Sequence, residues 1–232
     1  MLTKRLESIA SYVGQGAIVA DVGTDHGYIP IELARRGIVK KAYALDINKG
    51  PLEKAEANIT AYGLNHIVKT AISDGLLSLE DESVDTVIIA GMGGNLISKI
   101  LREGTAQLKH IKRLILSPHL DVNLVRKTVH QLGFCIIEEN MIIDENQYYN
   151  ILICEKGLEV YNSQTQYQYG KLLIDMKHPV LISYLVRKLD TIKTILDKME
   201  SADLVETCTI IERIEELKKE QKIIQEVLDL LC

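Results

Sequence analysis

Short apolar segments alternate with helix-compatible stretches through the first 157 of the 232 residues. Several of these segments, such as Val-Ile-Ile-Ala at 87–90, are apolar throughout, which is typical of strands covered on both faces. Strands that alternate with helices favour right-handed βαβ units and an open α/β sheet. The last two strands have no helix between them, so they are expected to form a hairpin that turns near 144–146. We predict strands at 17–22, 41–45, 68–72, 86–90, 114–117, 134–140 and 149–155, and helices near 28–37, 50–62, 94–103 and 122–132.

The composition changes at Leu158, which divides the chain into a sheet domain at 1–157 and a second domain at 158–232. Residues 161–170 are polar and rich in Tyr and Gln, and we expect them to form a connection. From Pro179 onwards, apolar residues recur every three or four positions in two runs, which predicts an antiparallel helical hairpin of coiled-coil type. The two runs match in length, so we expect them to pair within one chain and the protein to be a monomer. Between the runs, the candidates to stop or cap the helices are Ser201 and Asp203.

A glycine-containing turn follows the first predicted strand, in the sequence Asp-Val-Gly-Thr-Asp-His-Gly-Tyr at 21–28. Glycines at such a turn let the backbone pass close to a ligand. A pyrophosphate prefers free amides at a helix N-terminus and is repelled by carboxylates, so Asp21 and Asp25 speak against a dinucleotide. Two carboxylates suit a cation instead, such as the amino group and sulfonium of S-adenosylmethionine. An ordinary strand-to-helix turn remains the alternative.

Two further strand ends carry an acidic residue. Asp46 ends the second predicted strand, 19 residues beyond Gly27, at the position where related folds bind a ribose diol. Asp74 ends the third predicted strand, and its carboxylate suits the exocyclic amine of an adenine. Ligands of open α/β sheets bind at the carboxyl ends of the strands, so Asp21, Asp46 and Asp74 are expected to line one crevice.

Three glycines surround Met92 after the fourth predicted strand. We expect this turn to lie beside a methyl donor, with a plain turn as the alternative. The Asn/Asp-Pro-Pro-aromatic segment that is common here in methyltransferases acting on adenine N6 or cytosine N4 is missing. Ring nitrogen N1 of adenine has its own lone pair near neutral pH, so an acceptor of this kind needs orientation more than a general base. The sequence offers no clear general base.

The segments VADVGTDHGYIP, ALDIN, SDGL and IAGMGG, followed by the two helical runs, resemble the bacterial tRNA (adenine(22)-N(1))-methyltransferases of the TrmK family. The resemblance implies a Rossmann-like class I methyltransferase sheet with a C-terminal helical domain, S-adenosylmethionine as cofactor and tRNA as partner. One segment differs from the family, because Ser117-Pro118-His119 stands where Gln-Pro-Asn is frequent, so the base contacts are expected to differ. The resemblance implies cofactor-binding roles for Asp21, Gly23, His26, Asp46, Asp74 and Gly91. Further cofactor-binding candidates in the same segments are Asp25, Gly27, Tyr28, Ile47, Ser73 and Gly75. Candidates for the substrate pocket are Arg5, Met92, Gly93, Gly94, Pro118 and His119.

Composition narrows the possible partners, metal sites and cellular location. The net charge of −5 speaks against a uniformly basic surface, but acidic residues concentrate in the predicted crevice and at 80–85, so tRNA binding is predicted to use a localised basic patch. The four cysteines lack metal-ligand spacing, so we predict no metal site and a reducing, cytoplasmic location. No apolar run reaches the roughly 20 residues of a membrane helix, so no membrane partner is expected. Two alternatives stay open: a methyltransferase with a small-molecule or protein acceptor, and a cofactor-binding scaffold without catalysis.

Overall fold

The computed structural model describes residues 2–81, 83–201 and 208–231, and the chain forms two compact units, Met1–Val160 and Tyr161–Cys232. The predicted strands and helices of the sheet region are all present, and their ends lie within four residues of the prediction. The strands of the first unit are β1 Ala17–Val22, β2 Val39–Asp46, β3 Val68–Ile72, β4 Thr86–Met92, β5 Arg113–Pro118, β6 Phe134–Asp144 and β7 Gln147–Lys156. Its α-helices are α1 Lys4–Ser11, α2 Tyr28–Arg35, α3 Lys49–Ala61, α4 Gly94–Glu103 and α5 Val122–Gln131.

The seven strands form one sheet in the order β3-β2-β1-β4-β5-β7-β6. Strands β1 to β5 pair in parallel, whereas β7 runs antiparallel to both β5 and β6. The predicted hairpin is confirmed, and it turns at Glu145 and Asn146, whose φ angles are 47° and 62°. Val19 of β1 and Ile88 of β4 are completely buried, because helices cover both faces at the centre of the sheet.

The parallel register brings the carboxyl ends of β1 to β5 to one edge of the sheet. Val22 pairs with Leu45, and Asp46 pairs with Ile72. The backbone N–H groups of Gly23 and Thr24 both donate to the carbonyl oxygen of Leu45, at 2.8 and 3.0 Å, so the turn after β1 leans across the end of β2. The turns that contain the predicted site residues therefore share one edge.

Two glycines at this edge are required by close packing between turns. Gly23 has a φ of 74°, and a Cβ atom at this position would collide with Cε of Met92. Gly94 begins α4, and a Cβ atom there would lie 2.6 Å from the carbonyl oxygen of Leu120. The N–H of Gly94 donates to that same oxygen at 2.9 Å. The turns after β1, β4 and β5 are thus packed against one another without room for larger residues.

The second unit is helical, with α6 Gln164–Tyr169, α7 Lys171–Asp175, α8 Pro179–Ser201 and α9 Cys208–Leu231. Helix α8 packs against α9, which confirms the prediction of two paired C-terminal helices. Nζ of Lys188 lies 2.5 Å from Oε1 of Glu220 and links the two helices. Helix α8 ends at Ser201, whereas Asp203, the other predicted cap, lies outside the described residues. The predicted seam positions that are buried are Leu185, Leu189, Ile192, Leu196, Leu217, Ile224, Leu228 and Leu231.

Residues 161–170, which we expect to form a connection, contain a short helix, α6 at Gln164–Tyr169. Ser163 caps this helix, since its Oγ accepts a 3.2 Å hydrogen bond from the N–H of Gln166. Oε1 of Gln166 in turn accepts from the N–H of Ser163 at 3.3 Å, which completes a capping box. The Ser-x-x-Gln spacing at 163–166 is the sequence signal for the start of this helix.

Candidate active site

Asp21 lies at the end of β1 with only 6% of its surface exposed. Its Oδ2 accepts a 2.7 Å hydrogen bond from Oγ1 of Thr24. Burial raises the pKa of the Asp21 carboxyl to about 6, and the hydrogen bond from Thr24 offsets part of the increase. A positively charged ligand at this position would stabilise the ionised carboxylate.

The turn after β1 presents three polar or aromatic side chains. Asp25 is 76% exposed, and its Oδ1 lies 3.2 Å from Nε2 of His26. The imidazole of His26 stacks on the ring of Tyr28, with the centroids 5.2 Å apart. Nδ2 of Asn58 donates to the carbonyl oxygen of His26 at 3.0 Å and anchors the turn to α3. Gly27, with a φ of 69°, is the N-cap of α2.

A cavity of about 230 Å³ opens beside this turn. Its size is below the roughly 300–1,000 Å³ of typical small-molecule sites, so it fits only one end of a nucleoside-sized ligand. Two carboxylates and one guanidinium face the cavity, which makes it polar. The lining comes from α1, β1, the following turn, α2 and β4, and includes Arg5, Asp21, Gly23, Asp25, Tyr28 and Ala90.

Asp46 is half-buried at the end of β2, and its Oδ1 accepts a 2.7 Å hydrogen bond from the N–H of Asn48. In the part of the chain that the structure describes, no hydrogen bond reaches Oδ2, so this oxygen is available to a ligand. Ile47 follows with 58% of its surface exposed. The N–H of Ser73 donates to the carbonyl oxygen of Asp46 at 2.9 Å and joins the ends of β2 and β3.

The turn after β3 is held by side-chain hydrogen bonds and leaves Asp74 exposed. Oγ of the buried Ser73 donates to the carbonyl oxygen of Gly75 at 2.8 Å and accepts from the N–H of Ser78 at 3.1 Å. Gly75 has a φ of 60°, and a Cβ atom there would lie 2.9 Å from Cγ2 of Ile100 on α4. Asp74 therefore points its carboxylate to solvent from a fixed backbone, beside Asp46 at the same sheet edge.

On the other side of β1, the end of β4 meets α1 and the segment after β5. Gly91 has a φ of 81°, and a Cβ atom there would lie 3.5 Å from Nη1 of Arg5 and 3.7 Å from Nε2 of His119. The N–H of His119 donates to the carbonyl oxygen of Met92 at 2.9 Å, and Met92 pairs with Pro118. The structure thus gathers the six substrate-pocket candidates named from the sequence around the start of α4.

The side chains of Arg5 and His119 meet directly. Nη1 of Arg5 lies 3.2 Å from Nε2 of His119. Cζ of Arg5 lies 5.1 Å from the centre of the Tyr149 ring, and His119 meets the same ring edge-on at 5.6 Å. Partial burial, followed by the charge of Arg5, lowers the pKa of His119. Sequence reasoning missed Tyr149, because nothing near it in the chain indicates that β7 brings it to this site.

Comparisons with known proteins show which family this chain is similar to. A profile described as a methyltransferase domain matches residues 2–152. The tRNA (adenine(22)-N(1))-methyltransferase of Bacillus subtilis is 28% identical over 233 residues, which cover 98% of this chain and 97% of that protein. The crystal structure of the B. subtilis m1A22 tRNA methyltransferase TrmK is 27% identical, with a TM-score of 0.86 over 98% of this chain and 99% of that chain.

This chain belongs to the TrmK family of methyltransferases. A Streptococcus pneumoniae protein provisionally assigned as a tRNA (m1A22) methyltransferase was solved in complex with S-adenosyl-L-methionine. It is 34% identical, with a TM-score of 0.87 over 98% of this chain and all of that chain. The similarity to these proteins extends through the helical second unit, whereas the general methyltransferase profile ends at residue 152. The resemblance predicted from the sequence motifs is confirmed.

Several basic residues of this TrmK-family chain are already paired within the protein. Nη1 and Nε of Arg36 lie 2.6 and 2.9 Å from the carboxylates of Glu7 and Glu32. Nε of the buried Arg126 lies 2.7 Å from Oε1 of the buried Glu139. These arginines form ion pairs within the protein. The localised basic patch predicted for tRNA phosphates is therefore expected to use other lysines and arginines.

Among the described residues, no group of three or more His, Cys, Asp or Glu side chains is arranged to hold a metal ion. No described helix is both long and apolar enough to cross a bilayer. Cys135 and Cys154 are free thiols, and burial raises the pKa of Cys154.

Proposed function

We propose that this protein transfers a methyl group from S-adenosylmethionine to ring nitrogen N1 of adenine 22 in tRNA. The observation that carries the proposal is the similarity to TrmK-family proteins over essentially the full length of both chains. The general methyltransferase profile ends at residue 152 and does not include the helical second unit. The helical second unit, which the TrmK-family proteins share, favours a large substrate.

The carboxyl edge of the sheet suits a nucleoside with a positive charge at one end. Oδ2 of Asp46 is free to accept from a ribose diol, and the exposed Ile47 beside it offers an apolar contact. The exposed Asp74 is available to the exocyclic amine of the cofactor's adenine. Asp21 and Asp25 line the small cavity, where they would face the amino group and the sulfonium. The donors and acceptors present therefore fit S-adenosylmethionine.

The chemistry explains why this edge holds no obvious general base. When bound, S-adenosylmethionine supplies an electrophilic methyl group, which adenine N1 takes with its lone pair as the C–S bond breaks and leaves its electrons on sulfur. No proton has to leave N1, so the task of the protein is to hold the base in line with the methyl group. Nothing lies within 4 Å of a Cβ atom built at Gly93, so the turn beside Met92 is open at this position.

We propose further that residues 1–157 are the methyltransferase domain and that residues 158–232 are a coiled-coil hairpin domain. The division into compact units between Val160 and Tyr161 supports a boundary close to this position. Free thiols at Cys135 and Cys154 support a reducing, cytoplasmic location. The buried seam between α8 and α9 supports pairing within one chain and hence a monomer.

The test is methyl transfer from labelled S-adenosylmethionine to unmodified tRNA transcripts, followed by nucleoside analysis. We expect label in 1-methyladenosine when position 22 is adenine and none when it is guanine, because N1 of guanine carries a proton. Glu56→Ala, at an exposed position of α3, serves as the matched active variant, and Asp46→Ala as the weakened one. Label in proteins or small molecules but never in tRNA would contradict the proposal. Cofactor binding without any transfer would point to the scaffold alternative.

A further inference from the structure

We propose that His119 donates a hydrogen bond from Nδ1 to N3 or N7 of the target adenine and thereby positions N1 for methylation. The inference rests on the proposed function and names a contact that recognises the acceptor base. In it, His119 touches the substrate, and Arg5 is a positioning residue that acts through His119.

The contact between Arg5 and His119 determines where the imidazole proton lies. A guanidinium carries only N–H donors, so Nε2 of His119, 3.2 Å from Nη1 of Arg5, must be the acceptor. In a neutral imidazole the proton then lies on Nδ1. Among the described residues, none forms a hydrogen bond with Nδ1, so this donor is available to a ligand.

The surroundings of the ring keep it neutral near pH 7. Desolvation lowers the pKa of His119, and the charge of Arg5 from α1 lowers it further. From β7, the ring of Tyr149 meets the imidazole edge-on and adds no charge. The carboxylate of Asp144 accepts from the backbone of Arg5 and makes no ion pair with His119. Protonation would direct an Nε2–H at the N–H groups of Arg5, so the neutral tautomer with Nδ1–H is favoured.

Both partners are held in place before any substrate arrives. The backbone N–H of Arg5 donates to Asp144 at 2.9 Å, and its guanidinium lies over the ring of Tyr149. The N–H of His119 donates to the carbonyl oxygen of Met92 at 2.9 Å. A donor that is already oriented gives up little entropy when it binds.

The position of the ring matches the path of an incoming base. His119 is exposed and lies beside Gly91, while Arg5 also lines the cavity that Asp21 and Asp25 face. A base inside folded tRNA has to leave its stack to reach this edge. Once N1 of that adenine faces the methyl group, N3 and N7 remain as ring acceptors. An N–H donor at the margin of the site is complementary to either of them.

The sharpest test combines side-chain changes with single-atom changes in the base. tRNAs ligated from synthetic segments would carry 3-deazaadenine or 7-deazaadenine at position 22, so that each lacks one ring acceptor. With the wild-type protein, we expect one analogue to lose about tenfold in kcat/KM, the size of one hydrogen bond. With natural tRNA, His119→Leu should lose about tenfold in kcat/KM as well. With the analogue that impairs the wild-type protein, the kcat/KM of His119→Leu should fall little further.

Two further variants separate the hydrogen bond from a structural role. The side-chain amide of His119→Asn can place an N–H near the position of Nδ1, so this variant should recover most of the activity. Arg5→Ala removes the donor that keeps the imidazole proton of His119 on Nδ1. In this variant the difference in kcat/KM between natural and deaza tRNA should therefore shrink. His66→Leu, at an exposed position of the same unit, is the matched control, and cofactor affinity of the His119 variants should stay at the wild-type value.

The outcomes distinguish this inference from the proposed function. If neither analogue impairs the wild-type protein, or if the losses from analogue and His119→Leu multiply for both analogues, the inference is wrong while the function stands. If the wild-type protein forms no 1-methyladenosine on natural tRNA, the proposed function itself fails. If the losses from His119→Leu and from one analogue do not multiply, the inference is supported. The analogue concerned then shows whether His119 donates to N3 or to N7.

Discussion

Arg5 and Asp144 are 139 residues apart in the chain, yet the backbone N–H of Arg5 donates to Oδ2 of Asp144 at 2.9 Å. Arg5 lies in the first turn of α1, where N–H groups have no partner within the helix. Thr3 satisfies another of these groups, because its Oγ1 accepts from the N–H of Leu6 at 3.3 Å. The tip of the β6–β7 hairpin thus fixes the end of α1 that directs Arg5 toward His119.

We expect Asp144→Ala to loosen the first turn of α1 and to lower the turnover of tRNA, since Arg5 then no longer holds His119. Loss of a capping acceptor costs about 1 kcal/mol, so the melting temperature should fall by about 2–4 °C. Asp144→Asn keeps an acceptor and should stay close to the wild-type protein in both measurements. Glu145→Ala, on the same turn, is the control, and an equal loss in this variant would mean that the turn matters and the hydrogen bond does not.

Gly94→Ala and Gly93→Ala should have very different effects on stability although the residues are neighbours. A Cβ atom at Gly94 would overlap the backbone carbonyl of Leu120, whereas nothing lies within 4 Å of a Cβ atom at Gly93. We expect Gly94→Ala to reduce the free energy of unfolding by about 1–3 kcal/mol, as over-packing does elsewhere. It should also lower methyl transfer, because His119 adjoins the displaced segment. Denaturant unfolding of both variants checks this, and equal stabilities would contradict the packing described at the start of α4.

Most of the sheet could be predicted because its signals are local. Strand β1 lies between Gly16 and Gly23, the apolar run of β4 ends in glycines, and the spacing of Leu185 and Leu189 already indicates a buried helical face. The cofactor side of the site can be predicted for the same reason, since Asp21 and Asp46 lie in the last two residues of β1 and β2, and Asp74 follows the end of β3 by two residues. Parallel topology alone brings such residues to one edge.

The acceptor side could not be predicted in the same way. Tyr149 and Asp144 reach Arg5 only because β7 inserts between β5 and β6, and no local signal specifies this strand order. The contact between Arg5 and His119 likewise joins residues 114 positions apart. Sequence motifs named both as candidates, but their hydrogen bond, and hence the tautomer of His119, requires the packed structure.

Asp46→Ala should weaken the binding of S-adenosylmethionine by about 1–3 kcal/mol, because a ribose diol would lose a charged acceptor. Since Oδ1 of Asp46 also accepts from the N–H of Asn48, the alanine removes a backbone contact as well. Asp46→Asn retains an acceptor and isolates the effect of the charge. Calorimetric titration of both variants, with Glu56→Ala as the matched control, is the measurement. An unchanged affinity in Asp46→Ala would refute the ribose role.

Asp21→Asn should stabilise the protein without cofactor at pH 7.5 and impair its binding of S-adenosylmethionine. Burial raises the pKa of Asp21 from 3.8 to about 6, so folding favours its protonated form. The stability that this group contributes is complete below about pH 4 and is lost as the pH rises through about 6. At 1.36 kcal/mol per pKa unit, the ionised carboxyl costs up to about 3 kcal/mol at pH 7.5, and the asparagine variant avoids this cost. Melting temperatures from pH 4 to 7.5 are the measurement, with Asp25→Asn, at an exposed position of the same turn, as control. If the difference between wild type and Asp21→Asn does not grow with pH, Asp21 does not carry a buried charge in the free protein.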